Sequence, residues 1–106
     1  MLGLTISLPK EDKDIVIRSL EKFKETLASG EKKIYELAIS VVDKGGILDG
    51  MYMRCIERAL QHAAFMTNND QEKVKYQDLA TFYQKKREFF QFSTFYSIRL
   101  AAGVTV

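Results

Sequence analysis

KKREFFQFSTFYSIRL, residues 85–100, fits two backbone periods, and the choice between them decides the fold class. Read as a helix, Phe89, Phe92, Tyr96 and Leu100 form one stripe at spacings of 3, 4 and 4 residues. Read as a strand, Tyr96, Ile98 and Leu100 alternate with Ser97 and Arg99, and Phe, Tyr, Thr and Ile all suit a strand. The continuous helix is the expected reading, and it makes the chain a mainly α bundle of about four helices. The strand alternative adds a short β-pairing between the N-terminal segment, residues 2–8, and the C-terminal segment, residues 94–106.

Upstream of this stretch the helical period is clear. TNND at 67–70 breaks the chain, and Asn69 followed three residues later by Glu72 has the form of a capping box with Asn in place of Ser or Thr. A fourth helix is therefore predicted from about 70 to at least 91. Before it, Asp49 caps a helix over about 50–67, with Met53, Ile56, Leu60, Ala63 and Ala64 on its apolar stripe. A helix over about 31–44 carries Ile34, Leu37, Ala38, Val41 and Val42, and DKGG at 43–46 supplies a cationic last turn with a glycine cap. Ile47 and Leu48, in the following loop, are expected to fold back onto the core. The first helix, about 9–28, opens on Pro9 at its first position, with Glu11, Asp12 and Asp14 near the positive end of the helix dipole. Its stripe is Val16, Leu20, Phe23 and Leu27, with Ile17 beside it. In residues 2–8, Leu2, Leu4, Ile6 and Leu8 alternate with small or polar residues, the period of a half-buried strand.

The chain has 106 residues, which suits one domain, 1–106, able to bury about two thirds of its surface. Hydrophobic residues make up 46% and charged residues 28%, far from the composition of a disordered chain. The 16 cations and 14 anions are interspersed and leave a net charge of +2, which gives nucleic acid only weak electrostatic support. Cys55 is the single cysteine, so neither an internal disulfide nor a cysteine pair for zinc exists in the chain. MLGLTISLPK lacks the charged start and long apolar run of a signal peptide. The longest uncharged apolar stretch, residues 89–98, falls well short of the ~20 residues of a membrane span. The expected location is cytoplasmic, away from membranes.

Catalytic groupings do not assemble. His62 and Cys55 are too few donors for a metal site and lie two helical turns apart. Cys55, His62 and Glu57 could form a triad on paper, but on one helix Glu57 points away from the other two. The arginine-to-histidine spacing of the HEPN ribonucleases, which are also helical bundles, is not met: Arg54 is too far from His62 and Arg58 too near. GGILDG at 45–50 lacks the lysine and hydroxyl of a phosphate-binding loop and the ligand pattern of an EF-hand. Neither an enzyme nor a cofactor is expected.

The aromatic and basic region remains. Eight of the twelve aromatics fall between Tyr76 and Tyr96. One helix can serve as the hydrophobic centre of a small bundle, so burial in the core accounts for part of them. Aromatics on more than one face exceed what three short helices cover, and surplus exposed aromatics mark an interface. The candidate partner-binding residues are Phe89, Phe90, Phe92, Phe95 and Tyr96 as anchors, with Lys85, Lys86 and Arg87 as a cationic rim. The expected function is a non-catalytic binding or regulatory module that docks this segment onto another protein or onto itself as a homo-oligomer. The alternative is a nucleic-acid-binding accessory factor that uses the same segment, with aromatics for stacking and cations along the backbone.

Overall fold

Four helices form where the apolar period predicts them. The computed structural model describes the backbone of residues 4–101 and the side chains of residues 5–91. The elements run β1 (Leu4–Thr5), α1 (Lys10–Lys24), α2 (Ser29–Lys44), β2 (Ile47–Leu48), α3 (Gly50–Met66) and α4 (Asp70–Ala101). The mainly α bundle is therefore the fold. Residues 94–101 are helical, so the strand reading of the C-terminal segment does not hold for them; residues 102–106 lie outside the described residues. The N-terminal strand finds a different partner, pairing antiparallel with β2 in the register Leu4↔Leu48 and Thr5↔Ile47. The reason is local: the turn after α2 leaves Ile47 and Leu48 extended, with free backbone groups beside the incoming segment. Leu48 is buried beneath the pair, whereas Ile47 is 59% exposed.

Local capping fixes the helix ends. The Asp49 carboxylate accepts from the Tyr52 N–H at 2.8 Å and opens α3. Asn69 Oδ1 accepts from the Glu72 N–H at 3.0 Å and opens α4. The Glu72 carboxylate does not reach back to Asn69, as a full capping box would require. It accepts instead from the Thr67 hydroxyl at 2.9 Å, whose oxygen in turn accepts from the Asn69 N–H. Gly45 closes α2 at φ 66°, a left-handed conformation that glycine adopts without strain, and the Gly46 N–H bonds back to the Val41 carbonyl at 2.9 Å. Pro9 sits one position before α1 rather than inside it. Helix α1 ends at Lys24, earlier than predicted, because Thr26 and Leu27 bond to the Phe23 and Lys24 carbonyls in tight turns and the Thr26 hydroxyl also donates to Phe23.

Helix α3 is the centre of the bundle and packs against α1, α2 and α4. Met53, Ile56, Ala59 and Leu60 are fully buried and Cys55 nearly so, an arc too wide for a surface helix. Val16 and Leu20 of α1 are fully buried against it, each contributing about 1.5–3 kcal/mol by leaving water. The one buried hydroxyl on α1, Ser19, is satisfied by donating to the Ile15 carbonyl at 2.8 Å. On α2 the buried stripe is Tyr35, Ala38 and Val42, and Leu37, predicted on the stripe, is 54% exposed. Tyr35 displaces it because its ring packs against Phe23 with centroids 5.4 Å apart, which rotates α2 toward that residue. Lys13 reaches from α1 to donate to the Asp43 carbonyl at 2.6 Å, placing a cation at the negative end of α2.

Helices α3 and α4 form an antiparallel hairpin over a three-residue turn, but α4 has 32 residues against 17 in α3. Gly50, the first residue of α3, lies level with Phe90 and Gln91: a Cβ placed on it would sit 3.3 Å from the Gln91 amide nitrogen. Residues 92–101 therefore continue past the end of α3, by about 15 Å of helix. The dimensions agree. The long axis is 51 Å, close to the roughly 48 Å length of a 32-residue helix. The radius of gyration of 15.1 Å exceeds the roughly 13 Å of a compact chain of this length. The exposed area of 7254 Å² similarly exceeds the roughly 6,000 Å² expected for this mass.

Candidate functional site

Helix α4 presents two different faces. Leu79, Ala80 and Tyr83 are buried against the bundle, Tyr76, Arg87 and Phe90 are half-buried along the same side, and Phe82, seven residues before Phe89 and on its face, is half-buried at the edge. Phe89 is 65% exposed on the other side. Of the predicted anchors, then, Phe90 packs onto the core and Phe89 projects to solvent. Phe92, Phe95 and Tyr96 lie on α4 beyond the described side chains.

The three predicted rim cations have separate fates. Lys85 is exposed. Lys86 is also exposed but lies over the Phe82 ring, 5.5 Å from its centroid, in a cation–π contact that covers an aromatic face. Arg87 turns inward. Its guanidinium binds the Glu57 carboxylate of α3 through two nitrogens, Nε to Oε2 and Nη2 to Oε1, the second at 3.2 Å, and donates from Nη1 to Gln91 at 3.1 Å. Glu57 is 5% exposed, and its hydrogen bond raises the Arg87 pKa above its ordinary value. This pair ties α4 to α3 one turn before α4 leaves it.

Half of the Glu57–Arg87 pair is signalled in the sequence. Position 57 falls one turn from Met53 and seven residues from Ala64, on the buried arc of α3, so a carboxylate there requires a cation from a neighbouring element. Phe65, 82% exposed at the far end of the α3–α4 hairpin from Phe89, is another large surface aromatic outside the predicted set. It sits one residue off the buried stripe at Ala64, beside exposed Met66.

Two clefts matter chemically. The larger, about 350 Å³, lies between α1 and the α3–α4 turn and brings Arg18, Lys22 and His62 opposite Glu72 and Tyr76. The His62 ring packs against Phe23 in a tilted contact with centroids 5.0 Å apart. Here opposite charges already face one another. The second cleft, about 220 Å³, lies between the first turns of α2 and α3, with Tyr35 and Cys55 in its wall and Arg54 and Arg58 among its lining residues. Among the described residues the buried Tyr35 hydroxyl makes no well-formed hydrogen bond, and the Cys55 thiol is its polar neighbour. Burial, with the neighbouring Cys55, pushes its pKa up to about 12. Burial also pushes the Cys55 thiol up, so it stays protonated and a weak nucleophile at neutral pH. Among the described residues no group of three or more His, Cys, Asp or Glu side chains is placed to hold a metal ion, and no helix is long and apolar enough to cross a membrane.

A buried hydroxyl without a partner costs stability, so its removal is expected to return some. Tyr35→Phe should stabilise the protein by about 1 kcal/mol in chemical denaturation. A loss of similar size would mean that the hydroxyl has a protein partner after all.

No protein-family model, no curated protein and no solved structure matches the chain.

Proposed function

We propose that the chain is a non-catalytic binding module that associates with a second copy of itself through the C-terminal half of α4. One observation carries this reading: Phe89, 65% exposed, heads the helical register 89, 92, 96 and 100 on a helix that continues past its partner α3. Phe, Phe, Tyr and Leu occupy those positions. An apolar stripe with no charge in it is self-complementary, so two copies related by a twofold axis can lay the same stripe against each other. Buried aromatic anchors of this kind dominate interface energies. Lys85 and the exposed end of Lys86 form the rim. The free Cys55 thiol agrees with a reducing, cytoplasmic setting.

Exposed Lys85, Lys86 and Phe89 side by side give the alternative, single-stranded nucleic acid on the same face, its own support. Arg87 is held by Glu57 and is not spare for a phosphate. Sedimentation velocity separates the two. The wild type is expected to sediment as a dimer at micromolar concentration in both low and high salt, and Phe89→Asp as a monomer with unchanged helical content. A monomeric wild type would end the self-association reading. Oligonucleotide binding that falls steeply with salt would put nucleic acid in its place.

A further inference from the structure

The cleft between α2 and α3 has the makings of a small-molecule site. Arg54 and Arg58 lie one helical turn apart on α3, both exposed, and neither guanidinium has an ion-pair or hydrogen-bond partner among the described residues. Between them and α2 the wall is apolar, made by Ile34, Met51, the Tyr35 ring and Cys55. Tyr35 is 4% exposed, so its ring closes the floor of the cleft while its hydroxyl lies behind it, beside Cys55.

We propose that this cleft binds a small organic monocarboxylate, with the acid group held by Arg54 and Arg58 and its short apolar body against Ile34, Met51 and the Tyr35 ring. The ligand class follows from charge and size. Two guanidiniums and one carboxylate, Glu31, line the cleft, an excess of one positive charge, and the Glu57 that both arginines meet in the adjoining cleft is already paired with Arg87. Planar guanidinium forks match a carboxylate through paired hydrogen bonds. The apolar wall disfavours a bare inorganic ion. A volume of about 220 Å³ lies below the 300–1,000 Å³ typical of drug-sized ligands, so the body is short. The site lies apart from Phe89, and it stands whether or not α4 mediates self-association.

The test is a backbone amide NMR titration of the full chain with hexanoate and benzoate, with hexanol and inorganic phosphate as comparisons. Saturable shifts confined to amides of residues 31–35 and 51–58 are expected with at least one of the two carboxylates, with hexanol and phosphate at least tenfold weaker. Arg54→Gln and Arg58→Gln are surface changes that leave the fold intact, and each is expected to weaken carboxylate binding tenfold or more. Absence of saturable shifts with both carboxylates at tens of millimolar overturns the proposal. So does equal binding of hexanol or of phosphate, or binding indifferent to both arginine substitutions.

Discussion

Arg87→Met is expected to destabilise the protein by about 3–5 kcal/mol, the cost of leaving a buried carboxylate without its cation. Glu57 has 6% of its side chain exposed and Arg87 15%, so water cannot take over the pairing as it would at the surface. A domain of ordinary stability holds only about 5–15 kcal/mol in total, so the loss would be large. The double variant Glu57→Met/Arg87→Met removes both charges and keeps similar volume, and it should recover most of the loss or exceed the wild type. Chemical denaturation of the four proteins of this cycle measures the coupling directly. A cost below about 1 kcal/mol for Arg87→Met would show that Glu57 is solvated or finds another partner. The pair also sits where α4 leaves α3, so Arg87→Met should raise amide exchange in α4 from residue 84 onward before the rest of the bundle responds.

Tyr83→Ala is expected to cost about 3–5 kcal/mol and to lower the melting temperature by roughly 12 °C or more. Tyr83 is 1% exposed and heads the largest fully buried side chains. It reaches from α4 to the small cleft lined by Ile6, Leu8, Val42 and Leu48, so one ring joins α4, the end of α2, β2 and the segment that follows β1. Burial raises its phenol pKa, as expected for a hydroxyl withdrawn from water. Truncation opens a cavity that rigid helices cannot close, and Tyr83→Phe, which keeps the ring, should cost under about 1 kcal/mol. Exchange protection at Leu4, Thr5, Ile47 and Leu48 is expected to fall with Tyr83→Ala. A melting temperature within a few degrees of the wild type would show that α4 is held by its contacts with α3 alone.

The two largest effects rest on residues whose burial could be read only in part from their neighbours. Glu57 lies on the α3 stripe and can be recognised as buried from its spacing to Met53 and Ala64. Its partner could not, because Arg87 is thirty residues away and meets it only in the register that the α3–α4 turn imposes. The predicted rim of Lys85, Lys86 and Arg87 treated three adjacent cations alike, yet successive residues on a helix point about 100° apart. One remained in water, one covered an aromatic ring and one paired in the interior. Tyr35 outweighed Leu37 on α2 for a similar reason: the rotation of a helix about its axis is set by the neighbour it meets, here Phe23.

The sequence by itself determined the four helices, the caps at Asp49, Asn69 and Gly45, and the mainly α class, because apolar period and capping act within one or two turns of chain. Those interactions carry their own partners with them. Tertiary structure alone decided that α3 is the centre, that β1 pairs with Leu48 and Ile47 rather than with the C-terminal segment, that Glu57 meets Arg87, and that Phe89 faces water while Phe90 faces the core. Each of these joins residues far apart in sequence or distinguishes neighbours by helix rotation, and the summed packing of the whole bundle sets both.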